Sequence, residues 1–212
     1  MRFKLVIFDF DGTLANSLPW MLSVIDEIAD RHHFPRLSPE DLTDLRGPDG
    51  GSVTSRLRIS KWRMPLIMRD GRRMMAAHLK NIHLFDGVHA LLTRLHAAGT
   101  RIAVLSSNSE ANARKILGSE NAALVESFEC GASMFGKGRK FRRLIKQSGL
   151  PAESILSIGD EVRDVTASVA SGLTFAGVSW GLSTGEALTL KGASHIFGSV
   201  SEIGDFILGE SS

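Results

Sequence analysis

The carboxylates, hydroxyls and amine best suited to chemistry in this chain stand directly after short apolar runs. Asp9, Asp11, Gly12 and Thr13 follow the run from Lys4 to Phe8. Ser106, Ser107 and Asn108 follow Arg101 to Leu105, and Asp160, Glu161 and Asp164 follow Ser154 to Ile158. Lys137 opens a basic stretch between the second and third of these groups. Carboxylates packed together repel, and each resists ionising unless a cation holds them. An oxygen-only ligand set, without clustered His or Cys, favours Mg²⁺ over zinc. Mg²⁺ held by a few carboxylates takes phosphate oxygens as further ligands. A carboxylate can also attack phosphorus and divide one hard step into two. Asp9 and Asp11 are two residues apart, so on an extended segment they would face the same way, one to attack and one to manage the leaving group's proton.

Each feature has a plainer reading when taken alone. Asp11-Gly12 is a common turn, and Asp160-Glu161 are acids of the kind favoured at a helix N-terminus. Ser106 and Ser107 would serve as helix caps, and Lys137 as a surface lysine. Their joint placement after successive apolar runs is what argues for a site, because open parallel sheets bind ligands at the carboxyl ends of their strands.

The elements that must position these groups alternate. Short apolar runs at Lys4 to Phe8, Arg101 to Leu105, Ser154 to Ile158 and Leu173 to Val178 read as buried parallel strands, with weaker ones at Ser127 to Cys130 and His195 to Phe197. Helical spacing predicts helices over Pro19 to His32, Gly87 to Ala98, Glu110 to Leu117, Gly138 to Gly149 and Val165 to Ser171. Ser38-Pro39-Glu40-Asp41 reads as a helix start with Ser38 as N-cap. Val53 to Ile59 and Met64 to Lys80 are further helices, and Arg46 to Gly51 is a loop. From about Ala15 to Asn81 the chain is therefore all helical, inserted into an α/β pattern covered on both faces of its sheet.

Composition narrows the setting. Hydrophobic residues make up 43% and charged residues 23% of 212, the balance of a globular protein, and the length suits one substantial core or a core plus a small inserted domain. A net charge of +2 carries no general attraction to nucleic acid or membrane. The basic clusters Arg69 to Arg73 and Lys137 to Lys146 read first as solvated helix faces. One cysteine, Cys130, excludes an internal disulfide and reads as a small buried hydrophobe. No signal-peptide pattern and no membrane-length apolar run is visible, so the expected location is cytoplasmic. Trp20, Met21 and the methionines 64, 68, 74 and 75 read as helix core rather than ligand contacts.

The segment Val6-Ile7-Phe8-Asp9-Phe10-Asp11-Gly12-Thr13-Leu14 resembles the first motif of the haloacid dehalogenase-like hydrolase superfamily. Ala103 to Asn108, Gly136-Lys137 and Ile158 to Asp164 resemble the second, third and fourth motifs, in order. The resemblance, to the phosphoglycolate phosphatase-like branch, implies a Rossmann-like parallel sheet core (residues 1–14 and 82–212) and a small helical cap (15–81). It implies a magnesium-dependent phosphatase acting on a small phosphorylated metabolite through an aspartyl-phosphate. Asp9 would be nucleophile and Mg²⁺ ligand. Asp11 would be general acid and then base, contributing a backbone carbonyl to the metal. Ser106 would hold the phosphoryl group, and Lys137, with Lys140 as rival, would neutralise charge. Asp160 would bind Mg²⁺ and Asp164 support it. Thr13, Ser107 and Asn108 would touch the substrate, and Arg46 in the cap loop would grip its organic part. A sugar-phosphate mutase of the β-phosphoglucomutase type and a non-catalytic binding module on the same fold stay open, as does the choice between monomer and homodimer.

Overall fold

The computed structural model describes residues 3–47, 59–60, 62–131 and 136–210. Its six strands are β1 (Leu5–Phe8), β2 (Arg101–Leu105), β3 (Ser127–Glu129), β4 (Ile155–Gly159), β5 (Thr174–Val178) and β6 (His195–Phe197). They form one sheet in the order β3-β2-β1-β4-β5-β6, with every neighbouring pair parallel. Parallel neighbours cannot be joined by tight hairpins, and helices supply the crossovers. Between β1 and β2 run α1 (Leu18–His32), α2 (Pro39–Arg46), α3 (Met64–Ala77), a 3₁₀ turn (Leu79–Asn81) and α4 (Val88–Ala97). The later connections hold α5 (Glu110–Leu124), α6 (Lys137–Ser148), α7 (Val162–Val169) and α8 (Gly185–Leu190), and α9 (Val200–Leu208) follows β6.

Strand periodicity divides the core into two layers. Val6 and Phe8 of β1 pack with Leu92 and Leu95 of α4 and Ile203 and Ile207 of α9. Leu5 and Ile7 point to the other layer, against Phe141 and Leu144 of α6. Both faces of β1 are therefore buried, which is why its sequence is an unbroken apolar run rather than an alternating one. From β1 the chain crosses to β2 on one side and later to β4 on the other. That reversal opens a crevice at the carboxyl ends of β1 and β4.

Several element boundaries differ from the sequence-based expectation. The helix predicted to end at Leu117 continues to Leu124 past a break at Gly118, whose φ of 77° and ψ of 164° interrupt the ladder. The helix expected from Val165 begins three residues earlier, at Val162. The helix expected to reach Lys80 ends at Ala77 and gives way to the 3₁₀ turn. The Ser38 cap forms as read: its Oγ accepts from the Asp41 N–H and the Asp41 carboxylate accepts from the Ser38 N–H, each at 3.0 Å. Residues 53–58 of the helix predicted from Val53 and residues 48–51 of the Arg46 loop lie outside the described residues.

The two segments that leave and re-enter the sheet region run side by side. The Asn16 N–H donates to the His83 carbonyl at 2.8 Å, and the Phe85 N–H to the Leu14 carbonyl at 3.0 Å. The helices between them pack their apolar faces on the same core cluster as β1, through Trp20, Ile28, Ile67 and Met75.

Candidate active site

Register alone brings the polar groups together. Phe8 pairs with Val104 of β2 and with Ile158 of β4. Asp9, Ser106 and Asp160 are each the first residue beyond their strand, so three neighbouring strands end in reactive side chains within one residue of the same level.

Lys137 joins them from α6. Its Nζ lies 3.0 Å from Asp9 Oδ1 and 2.5 Å from Asp164 Oδ1, and all three side chains are buried. A cation at the first position of a helix opposes the helix dipole. The charge is there because two carboxylates hold it. Burial alone would lower the lysine's pKa, but Asp164 and Asp9 outweigh burial and raise it, so Lys137 stays charged. Burial would raise Asp164, but Lys137 and Arg163 keep it below the ordinary carboxylate range. Asp9 behaves oppositely. Burial pushes it well above that range, and repulsion from Asp164 and Asp160 adds to the rise despite Lys137.

Asp160 is held by a loop that follows β5. Its Oδ2 accepts from the Leu182 N–H at 2.9 Å, its Oδ1 from the Thr13 hydroxyl at 3.0 Å, and its carbonyl from the Ser183 N–H at 3.0 Å. Glycines make this fit possible. A Cβ on Gly181 would sit 2.1 Å from Asp160 Cβ. One on Gly12, whose φ is +81°, would sit 2.2 Å from Asp160 Oδ2. Burial and repulsion by Glu161 and Asp164 push Asp160 up to about 7.

Carboxylate oxygens of Asp9, Asp160 and Asp164 lie within 4.8 Å of one another, and Asp164 Oδ2 is buried without a hydrogen-bond partner. The raised pKa values of Asp9 and Asp160, an orphaned oxygen on Asp164 and oxygen-only donors are what a hard divalent cation would satisfy, so these residues fit Mg²⁺.

Asp11 faces a second group. Its Oδ2 accepts from Ser106 Oγ and its Oδ1 from Asn108 Nδ2, both at 3.3 Å. Burial raises its pKa, and the hydrogen bonds from Ser17, Ser106 and Asn108 offset part of that rise. The helices between β1 and β2 reach this group directly. Arg72 Nε donates to the Ser107 carbonyl at 2.9 Å, and Asn112 Nδ2 to the Arg72 carbonyl at 3.0 Å. Asn108 Nδ2 also lies 2.8 Å from Met75 Sδ.

Comparison with known proteins gives the family. Residues 6–178 match the family model described as haloacid dehalogenase-like hydrolase. The chain belongs to the haloacid dehalogenase-like hydrolases. Among relatives in this family is the phosphoglycolate phosphatase of Synechococcus elongatus, 29% identical over 184 residues, covering 86% of this chain and 87% of the relative. Tyrosine-protein kinase PtkA of Mycobacterium tuberculosis is 30% identical over 185 residues, covering 84% of this chain and 62% of PtkA. A crystal structure of a predicted phosphatase from Clostridium acetobutylicum superposes with a TM-score of 0.82 at 21% identity, over 99% of this chain and 100% of that one. At that identity it speaks for the fold alone.

In this haloacid dehalogenase-like hydrolase the first-motif, second-motif and fourth-motif residues converge with Lys137. Lys140 does not join them: its Nζ donates to the Cys130 carbonyl at 2.6 Å and lies 3.7 Å from Glu129. Thr13 does not take the place expected of a substrate contact, because its buried hydroxyl is spent on Asp160. Arg46 is also elsewhere. Its side chain is exposed, and it meets the sheet region through its carbonyl, which accepts from the Thr184 N–H at 2.8 Å. Ser109, not Ser106 or Ser107, caps α5, accepting from the Asn112 N–H at 3.2 Å. Burial pushes the Cys130 thiol up to about 12, which disfavours the reactive thiolate.

The sequence reading gives no role to Arg72 or Arg163. Arg163 pairs with Glu161 at 2.6 Å and adds positive charge beside Asp164. Its place between Asp160 and Asp164 was the available signal. Arg72 carries no local signal, because its partner is 35 residues away along the chain, whereas Gly181 stands in the segment Trp180 to Thr184, which follows a strand near the site and reads as a contact to substrate or cap. Trp20, Met64, Met68 and Met75 do pack in the core as read, but they also line the cavity over the site.

Proposed function

We propose that this chain is a Mg²⁺-dependent phosphatase that hydrolyses a small phosphorylated metabolite through an aspartyl-phosphate on Asp9. The observation that carries the reading is the buried Lys137 ammonium 3.0 Å from Asp9 Oδ1, at the strand end shared with Asp160 and Asp164. The name of the Synechococcus relative supports the phosphatase assignment.

Asp9 attacks phosphorus, forming an O–P bond as the ester P–O bond breaks. Asp11, whose raised pKa favours the protonated form, gives its proton to the departing alkoxide. Water then attacks the phosphoenzyme and loses its proton to Asp11, and the Asp9–phosphorus bond breaks. Lys137 and Ser106 stabilise charge on the transferring oxygens, the dominant contribution in phosphoryl transfer. Asp9 and Asp160, with Asp164 and the Asp11 carbonyl in support, would hold Mg²⁺, which supplies charge neutralisation at the phosphoryl oxygens. The helices of residues 15–81 act as a cap that excludes water. The reaction belongs to the cytoplasm, and among the described residues no helix is long and apolar enough to cross a membrane.

The test is phosphate release from a panel of monoesters without ATP, comparing wild type, wild type with EDTA, and Asp9→Asn. The expected result is turnover that EDTA abolishes and that falls by about 10⁴-fold or more in the variant. Full activity in Asp9→Asn overturns the nucleophile. Phosphorylation of a protein from ATP, with no monoester hydrolysis, would favour the activity that PtkA's name states.

A further inference from the structure

A cavity of about 210 Å³ lies between the strand ends and the helices that follow β1. One end is polar, formed by Asp11, Ser107, Asn108, Asp160 and Glu161. The rest of the wall is apolar, with Trp20, Val24, Ile28, Met64, Ile67 and Met68 among its residues. Two cations line it among the described residues, Arg72 and Arg163, and both are anchored at the polar end. Arg72 Nε is bonded to the Ser107 carbonyl, and Arg163 is paired with Glu161.

Resting on the phosphatase reading, we propose that the organic group of the substrate is compact, apolar and uncharged at its far end. Beyond Arg72 and Arg163 at the polar end, a carboxylate reaching the far wall would meet aliphatic and thioether side chains with no charged partner among the described residues, where desolvation is costly. An apolar ring or short branched chain would instead gain by burial. The volume sets the scale. A dry cavity of about 150 Å³ accepts benzene, so one ring fits here with space left toward the phosphoryl end. Selectivity then differs from that named for the phosphoglycolate phosphatase relatives.

The experiment measures kcat/KM with Mg²⁺ for ethyl, propyl, butyl and benzyl phosphate and for 2-phosphoglycolate. The expected result is a rise of about fourfold per added methylene until the cavity is full, with 2-phosphoglycolate below ethyl phosphate. A flat alkyl series with 2-phosphoglycolate the best substrate overturns the proposal. A turnover-independent arm separates the two readings: thermal shift of the wild type with Mg²⁺ and either benzylphosphonate or 3-phosphonopropionate. Stronger stabilisation by benzylphosphonate supports the apolar pocket even if no ester is hydrolysed, a result that would overturn the phosphatase reading alone. Stronger stabilisation by 3-phosphonopropionate overturns the pocket assignment whatever the turnover.

Met68→Lys places a cation in the apolar wall at a partly exposed position. It is expected to shift the benzyl-to-glycolate preference by at least about tenfold toward 2-phosphoglycolate, while Met68→Leu keeps the wild-type ratio. An unchanged ratio in a folded Met68→Lys protein also overturns the proposal. Arg72→Met decides whether Arg72 grips a distal carboxylate. Equal loss for all substrates is expected, and a loss confined to 2-phosphoglycolate contradicts it.

Discussion

The strand ends and the helices facing them are built on opposite rules. At the strand ends almost every side chain is polar, buried and held by a named partner: Lys137 by two carboxylates, Asp160 by Thr13 and the Leu182 N–H, Asp11 by Ser106 and Asn108. Across the cavity the helices offer mostly thioether and aliphatic groups, which tolerate repacking. Catalysis by preorganised charge demands fixed positions, whereas an apolar wall needs only the right volume. Substitutions should therefore be severe on one side of the cavity and graded on the other.

The largest expected contrast is Asp9→Asn, with its loss of about 10⁴-fold or more, against any single change in the apolar wall. Next comes the lysine pair. Lys137→Met should lower kcat by about 10²- to 10³-fold and, in the metal-free protein, lower the melting temperature, because Asp9 and Asp164 lose their counter-charge. Lys140→Met should leave kcat within about twofold, since a partly exposed ion pair contributes little. Steady-state kinetics beside a melting curve separates the two.

Gly181→Ala should weaken Mg²⁺ binding by about 10- to 100-fold, because the new methyl displaces Asp160 without removing a ligand. Isothermal titration measures it, and unchanged affinity would show that the loop after β5 yields more readily than its packing indicates.

The pH response tests the same cluster. Asp160 is pushed up to about 7 in the fold, against an ordinary carboxylate value of about 4 when unfolded. The folded, metal-free protein thus binds more protons between these values, and its stability falls as pH rises from about 4 to about 7. Melting curves in EDTA should show that decline, and Asp160→Asn should make it shallower, the raised Asp9 and Asp11 carrying the rest. Stabilisation by Mg²⁺ should shrink as pH drops below 7, because protons compete for the same oxygens. The smallest effect is expected from Met68→Ala, a loss of less than about tenfold in kcat/KM for a benzyl ester with kcat for ethyl phosphate unchanged.

Legibility from sequence followed the same division. Strands β1, β2, β4 and β5 announce themselves as unbroken apolar runs, and the residues after three of them carry the chemistry. In sequence Lys137 and Lys140 are rivals because both lie at the start of one helix. The α6 face turned toward Asp9 chose between them. The glycine-rich loop points to Arg46, yet Arg72, in the middle of a helix, lies at the polar end of the cavity.

The sequence by itself determined the parallel α/β architecture, the family and the carboxylates at the strand ends. Those depend on hydrophobic period and on residues adjacent along the chain, where local sterics leave little choice. The tertiary structure alone decided which lysine meets Asp9, that Thr13 and Gly181 serve Asp160, and that the methionines and Trp20 line a cavity. Each of those depends on packing between segments far apart in sequence, and no local pattern encodes the distance at which two surfaces meet.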